Sequence, residues 1–244
     1  MRPRGYIFDY GGTLDTGGHH WGKVLWHGYE HCQVPFVKEE EFRQAYVYAE
    51  RTLGRNPIIR PDFTFRQTLQ AKLRLQFQYL FDHACWVPFE PAPDGSLPMD
   101  QADAVVDYVY RQTVQQTSHS VDVLRSMRGD AAFVLVSNFY GNISVVLHEF
   151  GFDGLFDHVI ESAVVGVRKP DPRIFQMGVE AMGLTPGEVV VVGDSMDKDI
   201  IPAKSIGCQT VWYEGEQWTD DPVDRSIPHH IIKDLDELKA IRRS

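Results

Sequence analysis

Four consecutive valines at 189–192, inside EVVVVGDS (188–195), constrain the fold of this chain more than any other feature. A strand with one wet face alternates apolar and polar residues, so an unbroken run reads as a strand buried on both faces, as in a parallel sheet covered by helices. The same reading holds for GYIFDY (5–10), AAFVLVSN (131–138), HVIES (158–162) and CQTVWY (208–213), with HHIIKD (229–234) as a sixth. Helical patterns fill the intervals at 142–151, 171–183, 197–206 and 234–243. In the second of these Asp171 is placed as N-cap, Pro172 at the first helical position and Gly183 as the stop. Strands alternating with helices predict an α/β fold, a Rossmann-like, doubly wound parallel sheet.

Residues 16–118 interrupt that rhythm. They contain aromatic-rich helical stretches near 19–32, 38–54, 63–82 and 99–117, and a Pro-rich loop, VPFEPAPDGSLP (87–98), but no buried strand. The expected organisation is a sheet domain made of 1–15 and 119–244, with a helical insertion at 16–118 packing as its own bundle above the sheet edge. A chain of 244 residues with 43% hydrophobic content supplies core for both parts. The formal charge of −10 argues against nucleic-acid and anionic-membrane partners. Cys32, Cys85 and Cys208 are too far apart for zinc spacing and odd in number, which fits a reducing compartment. The amino terminus lacks an apolar signal core and no apolar run reaches the ~20 residues of a membrane span, so a cytoplasmic protein is expected. Nothing in the sequence decides between monomer and dimer.

In an open α/β sheet, ligands bind beyond the carboxyl ends of the strands, near the switch in strand order. Asp9 ends the first strand, in YIFDYGGTLDTGG, and Ser137-Asn138 end the second. Lys169 follows the third, in VRKPDPRIF, and Asp194 ends the fourth, in VVVGDSMDKD, with Asp199 five residues on. Carboxylates beside a lysine, a serine and glycine-rich turns suit a phosphoryl group bound to a hard cation. Mg²⁺ takes carboxylate, carbonyl and water oxygens, and exposed N–H groups after Asp9 can cradle phosphate.

The four segments resemble, in order, the motifs of the haloacid dehalogenase-like hydrolase superfamily; VSN, RKPDPRIF and GDSMDKDI are close matches. The resemblance covers about 1–18 and 120–214, and the insertion stands where this superfamily carries its helical cap. It implies a small phosphorylated substrate, an aspartyl intermediate at Asp9, and Lys169 stabilising Asp9 and phosphate. Phosphate would be bound by Gly11, Gly12, Ser137, Asn138 and Lys169. Mg²⁺ would be held by Asp9, the carbonyl of Gly11 and Asp194, with Asp199 acting behind them or through water. Asp15 and Asp197 read as a turn or cap acid and a helix N-terminal charge.

One position departs from the pattern. Phosphatases of this superfamily usually carry a second aspartate two residues beyond the nucleophile, as the acid and base of turnover, and Gly11 cannot supply it. Three readings stand. The protein is a Mg²⁺-dependent phosphatase helped by a cap residue, by water, or by a substrate whose leaving group needs no proton; or it cleaves another bond; or it has kept binding and lost turnover, as a sensor or partner protein. Phosphonoacetaldehyde hydrolases carry a small residue here and form a Schiff base on a cap lysine, for which Lys23, Lys38 and Lys72 are candidates. Dehalogenases of the superfamily also lack the aspartate but work without metal, which GDSMDKD does not suit. His19 and His20 are candidate replacements for the acid, because imidazole both gives and takes a proton near neutrality. With Trp21, Trp26 and Tyr29 they form the segment expected to climb into the cap. Tyr46, Tyr48, Phe63, Phe65, Phe77 and Tyr79 read as helix packing.

Overall fold

The computed structural model describes residues 3–87, 96–129 and 131–241. The expected strands are present: β1 (Gly5–Phe8), β2 (Ala132–Ser137), β3 (His158–Glu161), β4 (Val189–Gly193), β5 (Gln209–Tyr213) and β6 (His230–Ile232). They form one parallel sheet in the order β3-β2-β1-β4-β5-β6. The order reverses at the β1–β4 pair, so a crevice opens beyond the ends of those two strands. Both faces are covered, as the valine run requires. Tyr6, Phe8, Val190 and Val192 point into one apolar cluster, and Ile7, Val134, Val189 and Val191 into the other.

Among the described residues, four helices occupy the interval between β1 and β2: α1 (Trp21–His31), α2 (Glu39–Arg55), α3 (Phe65–Asp82) and α4 (Asp100–Met127). Two of these helices carry side-chain caps at their starts. The His20 side chain accepts the Gly22 N–H, and Thr64 and Gln67 form a capping box on α3. One expectation needs adjustment. The last helix does not end near 117; α4 runs unbroken to Met127, and its later residues Val121 and Leu124 join the apolar cluster that holds Phe8 and Phe133. The four helices pack chiefly on one another, α2 on α3, α3 on α4 and α1 on α4. Phe42, Phe65 and Phe77 belong to that same apolar cluster, which is therefore continuous between sheet and insertion. Most of the Pro-rich 87–98 loop and the end of the 234–243 helix lie outside the described residues.

The remaining helices are α5 (Ile143–Glu149), α6 (Ser162–Val165), α7 (Arg173–Ala181), α8 (Ile201–Ser205) and α9 (Leu238–Ile241). Asp171 and Pro172 are each displaced by one position: α7 starts at Arg173, Pro172 is its N-cap, and Asp171 stands one residue before it, accepting the Arg173 N–H from there. Residues 197–206 are not one regular helix. A π-helical turn, Met196–Ile200, precedes α8. Such turns insert one residue into the helical register and often re-aim a functional side chain; here the side chain is Asp199. Among the described residues no helix is long and apolar enough to cross a membrane, and the three cysteines are unpaired.

Candidate active site

β1 and β4 end side by side, and each releases a buried aspartate into the crevice. Lys169 Nζ lies 2.5 Å from Asp9 Oδ1 and 2.7 Å from Asp199 Oδ1. The Thr13 hydroxyl is 3.2 Å from Asp9 Oδ2 and 3.1 Å from Asp194 Oδ1, and it accepts the Asp194 N–H. Asp199 Oδ2 accepts the Ser195 N–H, an anchor supplied by the π-helical turn. Carboxylate oxygens of Asp9, Asp194 and Asp199 all lie within 4.8 Å of one another.

Three buried carboxylates surround one ammonium, which pairs with two of them, Asp9 and Asp199. Burial raises Asp9 above the ordinary carboxylate range to about 6; Lys169 opposes the shift and the Asp199 charge reinforces it. Burial, then Asp199 and Asp9, push Asp194 well up. Burial alone would lower Lys169, but Asp199 and Asp9 outweigh it and keep the ammonium protonated. The uncompensated negative charge, the hard oxygen donors and their closeness fit a divalent cation.

Two glycines make the approach possible. A Cβ at Gly12, whose φ is +103°, would stand 2.4 Å from Asp194 Oδ1. One at Gly193 would stand 2.4 Å from the Asp199 Cβ. Gly12→Ala is therefore expected to cost about 1–3 kcal/mol from the backbone conformation alone, and to displace Asp194. Paired thermal unfolding and metal titration check it: the midpoint falls and metal affinity falls with it. Gly11 differs, because a Cβ there meets nothing nearer than Trp21 Nε1 at 3.8 Å.

The cleft above these residues has a volume of about 1150 Å³ and is walled by α2, α3 and the segments following β2, β3 and β4. Asp9, Gly11, Asn138, Lys169, Asp194 and Asp199 line it. Gly12 and Ser137 stand behind that lining. The Ser137 hydroxyl is buried, with no hydrogen-bond partner among the described residues. Asn138 is committed elsewhere: its amide donates to the Lys169 carbonyl and accepts the Lys169 N–H, so it positions the lysine. The Gly12 N–H is also taken, by Asp15 Oδ1 at 2.7 Å. Asp197 is exposed and outside the cluster.

The insertion contributes differently from expectation. Lys23, nearest in sequence to the first motif, pairs with Glu39 and Glu216 away from the cleft, and Lys38 is exposed. The lysine that faces the cleft is Lys72 of α3, buried 2.6 Å from Glu50 and near the rings of Trp21 and Tyr140. Burial would lower it, but Glu50 wins and holds it charged. His19 is exposed and accepts the Glu216 N–H. His20 does line the cleft, between Tyr46 and Trp218, but burial and then Lys198 lower it to about 4. Tyr46 and Phe65 line the cleft as well as pack.

Asp15, read from sequence as a turn acid, is more than that. It does cap the Gly12 N–H, yet it is buried, lines the cleft, and accepts the Trp21 indole N–H at 3.0 Å on its other oxygen. Burial raises it to about 8, with the Asp9 charge adding to the shift. Sequence spacing carries no signal for this, since the indole arrives from the next helix.

A family model for haloacid dehalogenase-like hydrolases matches residues 3–207. The chain belongs to that family. Among curated members it is 33% identical over 90 residues to glyceraldehyde 3-phosphate phosphatase of Pyrococcus furiosus, covering 36% of this chain and 38% of that one. It is 46% identical over 95 residues to the enzyme of the same name from Methanocaldococcus jannaschii, covering 39% and 41%. It is 37% identical over 83 residues to phosphoserine phosphatase of Thermus thermophilus, covering 34% and 32%. The matched stretches thus span well under half the length of these relatives. Among solved structures, a dehalogenase with an intermediate complex superposes with a TM-score of 0.61 at 16% identity over 98% of this hydrolase and 97% of that chain. The HAD-hydrolase YfnB of Bacillus subtilis bound to magnesium superposes at 0.57 and 15% identity over the whole of both chains. At such identities the likeness establishes the fold.

Proposed function

We propose that this hydrolase cleaves a small phosphate monoester through an aspartyl phosphate on Asp9, with Mg²⁺ as cofactor. The observation that carries the reading is Asp9 itself. It is a buried carboxylate at the cleft floor, with one oxygen paired to Lys169 and the other turned toward Thr13 and Asp194. A carboxylate so held is oriented to attack phosphorus while Lys169 offsets the charge that gathers between nucleophile and phosphate. The partnerless Ser137 hydroxyl supports a contact to a phosphoryl oxygen. Asp9, Asp194 and the Gly11 carbonyl would hold the metal, with Asp199 fixing Lys169 behind them. When bound, the cation would act as a Lewis acid toward the phosphoryl oxygens. Residues 16–118 serve as the cap that sets specificity, since α2 and α3 supply Tyr46, Glu50 and Lys72 to the cleft wall.

The relatives named as phosphatases of glyceraldehyde 3-phosphate and of phosphoserine support a small phosphorylated metabolite as substrate. A Schiff-base route to C–P cleavage needs a neutral lysine, and Lys72 is held charged by Glu50. The acidic cluster also disfavours metal-free dehalogenation.

Steady-state hydrolysis of an aryl phosphate with and without Mg²⁺ tests the reading. Turnover with the metal, lost to a chelator and absent toward haloacids, is the expected result. Independently of activity, Mg²⁺ at a hundred times its dissociation constant should stabilise the fold by about 2.7 kcal/mol. That corresponds to a rise of about 5–10 °C in Tm for a chain of this size. A midpoint indifferent to Mg²⁺ would remove the metal from the proposal.

A further inference from the structure

Breaking a phosphate ester leaves an alkoxide unless a proton reaches the leaving oxygen, so the cleft must be searched for a donor. Asp9 is the nucleophile, while Asp194 and Asp199 face the cation site and Lys169. Glu50 and Lys72 neutralise each other, and the Tyr140 hydroxyl donates to Glu50. Burial holds the Tyr46 hydroxyl well above its usual range, and His20 is lowered to about 4. The arginines and Lys198 are exposed. Asp15 remains.

Its position is favourable on three counts. It is buried yet lines the same cleft as Asp9. It is clamped from two sides, by the Gly12 N–H at 2.7 Å and the Trp21 indole N–H at 3.0 Å, so its carboxyl plane is fixed. And it adjoins the space that Gly11 leaves open: the indole nitrogen that binds Asp15 is also the atom nearest to a Cβ placed at residue 11, at 3.8 Å. A side chain at 11 and the carboxyl of Asp15 would thus both reach the Trp21 indole nitrogen.

We infer that Asp15 is the catalytic acid and base of this hydrolase, delivering a proton to the leaving oxygen from beside the gap at Gly11. The inference rests on the phosphatase reading given above. In the first step the Asp9 oxygen bonds to phosphorus, the P–O bond to the leaving group breaks, and that oxygen takes the Asp15 proton. In the second, Asp15 accepts a proton from water as the water oxygen attacks phosphorus. The Asp9–phosphorus bond then breaks, releasing inorganic phosphate and restoring both side chains. Burial keeps Asp15 protonated near neutrality, and the groups bearing on it are Asp9, Tyr10 and Lys72. An acid whose pKa lies near the operating pH is suited to both halves of the cycle.

The experiment compares native protein and Asp15→Asn on an aryl phosphate, whose leaving group needs no proton, and on an alkyl phosphate, whose leaving group does. The quantity read is kcat/KM, which covers steps up to departure of the leaving group. Asp15→Asn should lose about 10²–10⁴-fold on the alkyl ester, as removal of general acid help does, and about tenfold or less on the aryl ester. With the aryl ester the variant should also release a burst of phenol, as phosphorylated Asp9 waits for a base. Equal losses on both esters would assign Asp15 a structural role only and overturn the inference while leaving the phosphatase reading intact. No loss on either would overturn it too. Native protein inert toward both esters with Mg²⁺ would overturn the phosphatase reading and the inference together. Should Asp15→Asn fail to fold, Asp15→Ser keeps an acceptor for the Gly12 N–H and is judged by the same alkyl-to-aryl ratio.

Discussion

Asp9→Asn should abolish phosphate-ester turnover, lowering kcat by about 10⁴-fold or more, as loss of a covalent nucleophile does elsewhere. An amide keeps the volume and still accepts from Lys169, so the sheet end stays packed; what goes is the anion that bonds to phosphorus. The loss should be the same for aryl and alkyl esters, because the nucleophile is used whatever the leaving group. Labelling by a phosphate analogue that traps the aspartyl adduct should disappear in the variant. Stability moves the other way. Asp9 stands at 2.5 Å from Lys169 but is raised overall, burial and the Asp199 charge acting against the lysine. Removing its charge therefore relieves repulsion toward Asp194 and Asp199, and Tm without metal should hold or rise. A variant that retains turnover would deny Asp9 the nucleophile's role.

Lys169→Met should have the largest effect on stability. The lysine side chain is 2% exposed and is the ammonium shared by Asp9 and Asp199. Taking one partner from a buried ion pair leaves an uncompensated charge and costs about 3–5 kcal/mol. For a chain of this length that lowers Tm by about 6–20 °C. The penalty depends on pH, and its sign follows from linkage. Without the lysine, burial and the Asp199 charge raise Asp9 further above its unfolded value, so the folded variant binds protons that the unfolded chain does not. Its stability then rises as pH falls through that raised value, which already stands at about 6 with the lysine present. Thermal unfolding without metal at pH 5 and pH 8 checks this. The gap between native and variant proteins should narrow at the lower pH, and a constant gap would mean that lost packing, not charge, is the cause.

The placement of much of the candidate site was legible before the fold was known, and the reason is local. In a parallel sheet, the residue at the end of each strand faces the crevice at the carboxyl edge, so a buried run followed by Asp or Ser announces a candidate position. Asp9, Ser137 and Asp194 each follow such a run, and each is buried at a strand end. Lys169 and Asp199 were legible through motif spacing, although the π-helical turn that aims Asp199 was not. Asn138 was expected to bind phosphate, but both polar ends of its amide bind the Lys169 backbone 31 residues on, a partner no spacing announces.

The insertion was legible only as helices. Periodicity tells that an aromatic residue is buried, but burial in one core looks the same as burial against a cleft. Lys72 could not be preferred to Lys23, because the choice depends on which helix face meets Glu50 and Tyr140 across the fold. The end of the insertion's last helix, expected near 117, was misplaced for a related reason. Nothing breaks the helical pattern there, and α4 crosses from one part to the other as a single rod.

By itself the sequence determined the doubly wound sheet, its six strands, and the aspartates and lysine at their ends, because strand burial and strand-end exposure are short-range consequences of residue order. Tertiary structure alone decided what stands beside the gap at Gly11. Asp15 became a buried carboxyl raised above its ordinary range because the fold packs around it, burial and the Asp9 charge outweighing the Gly12 and Trp21 N–H groups that favour its charged form. Desolvation is a property of everything packed around a group, and no spacing along the chain records it.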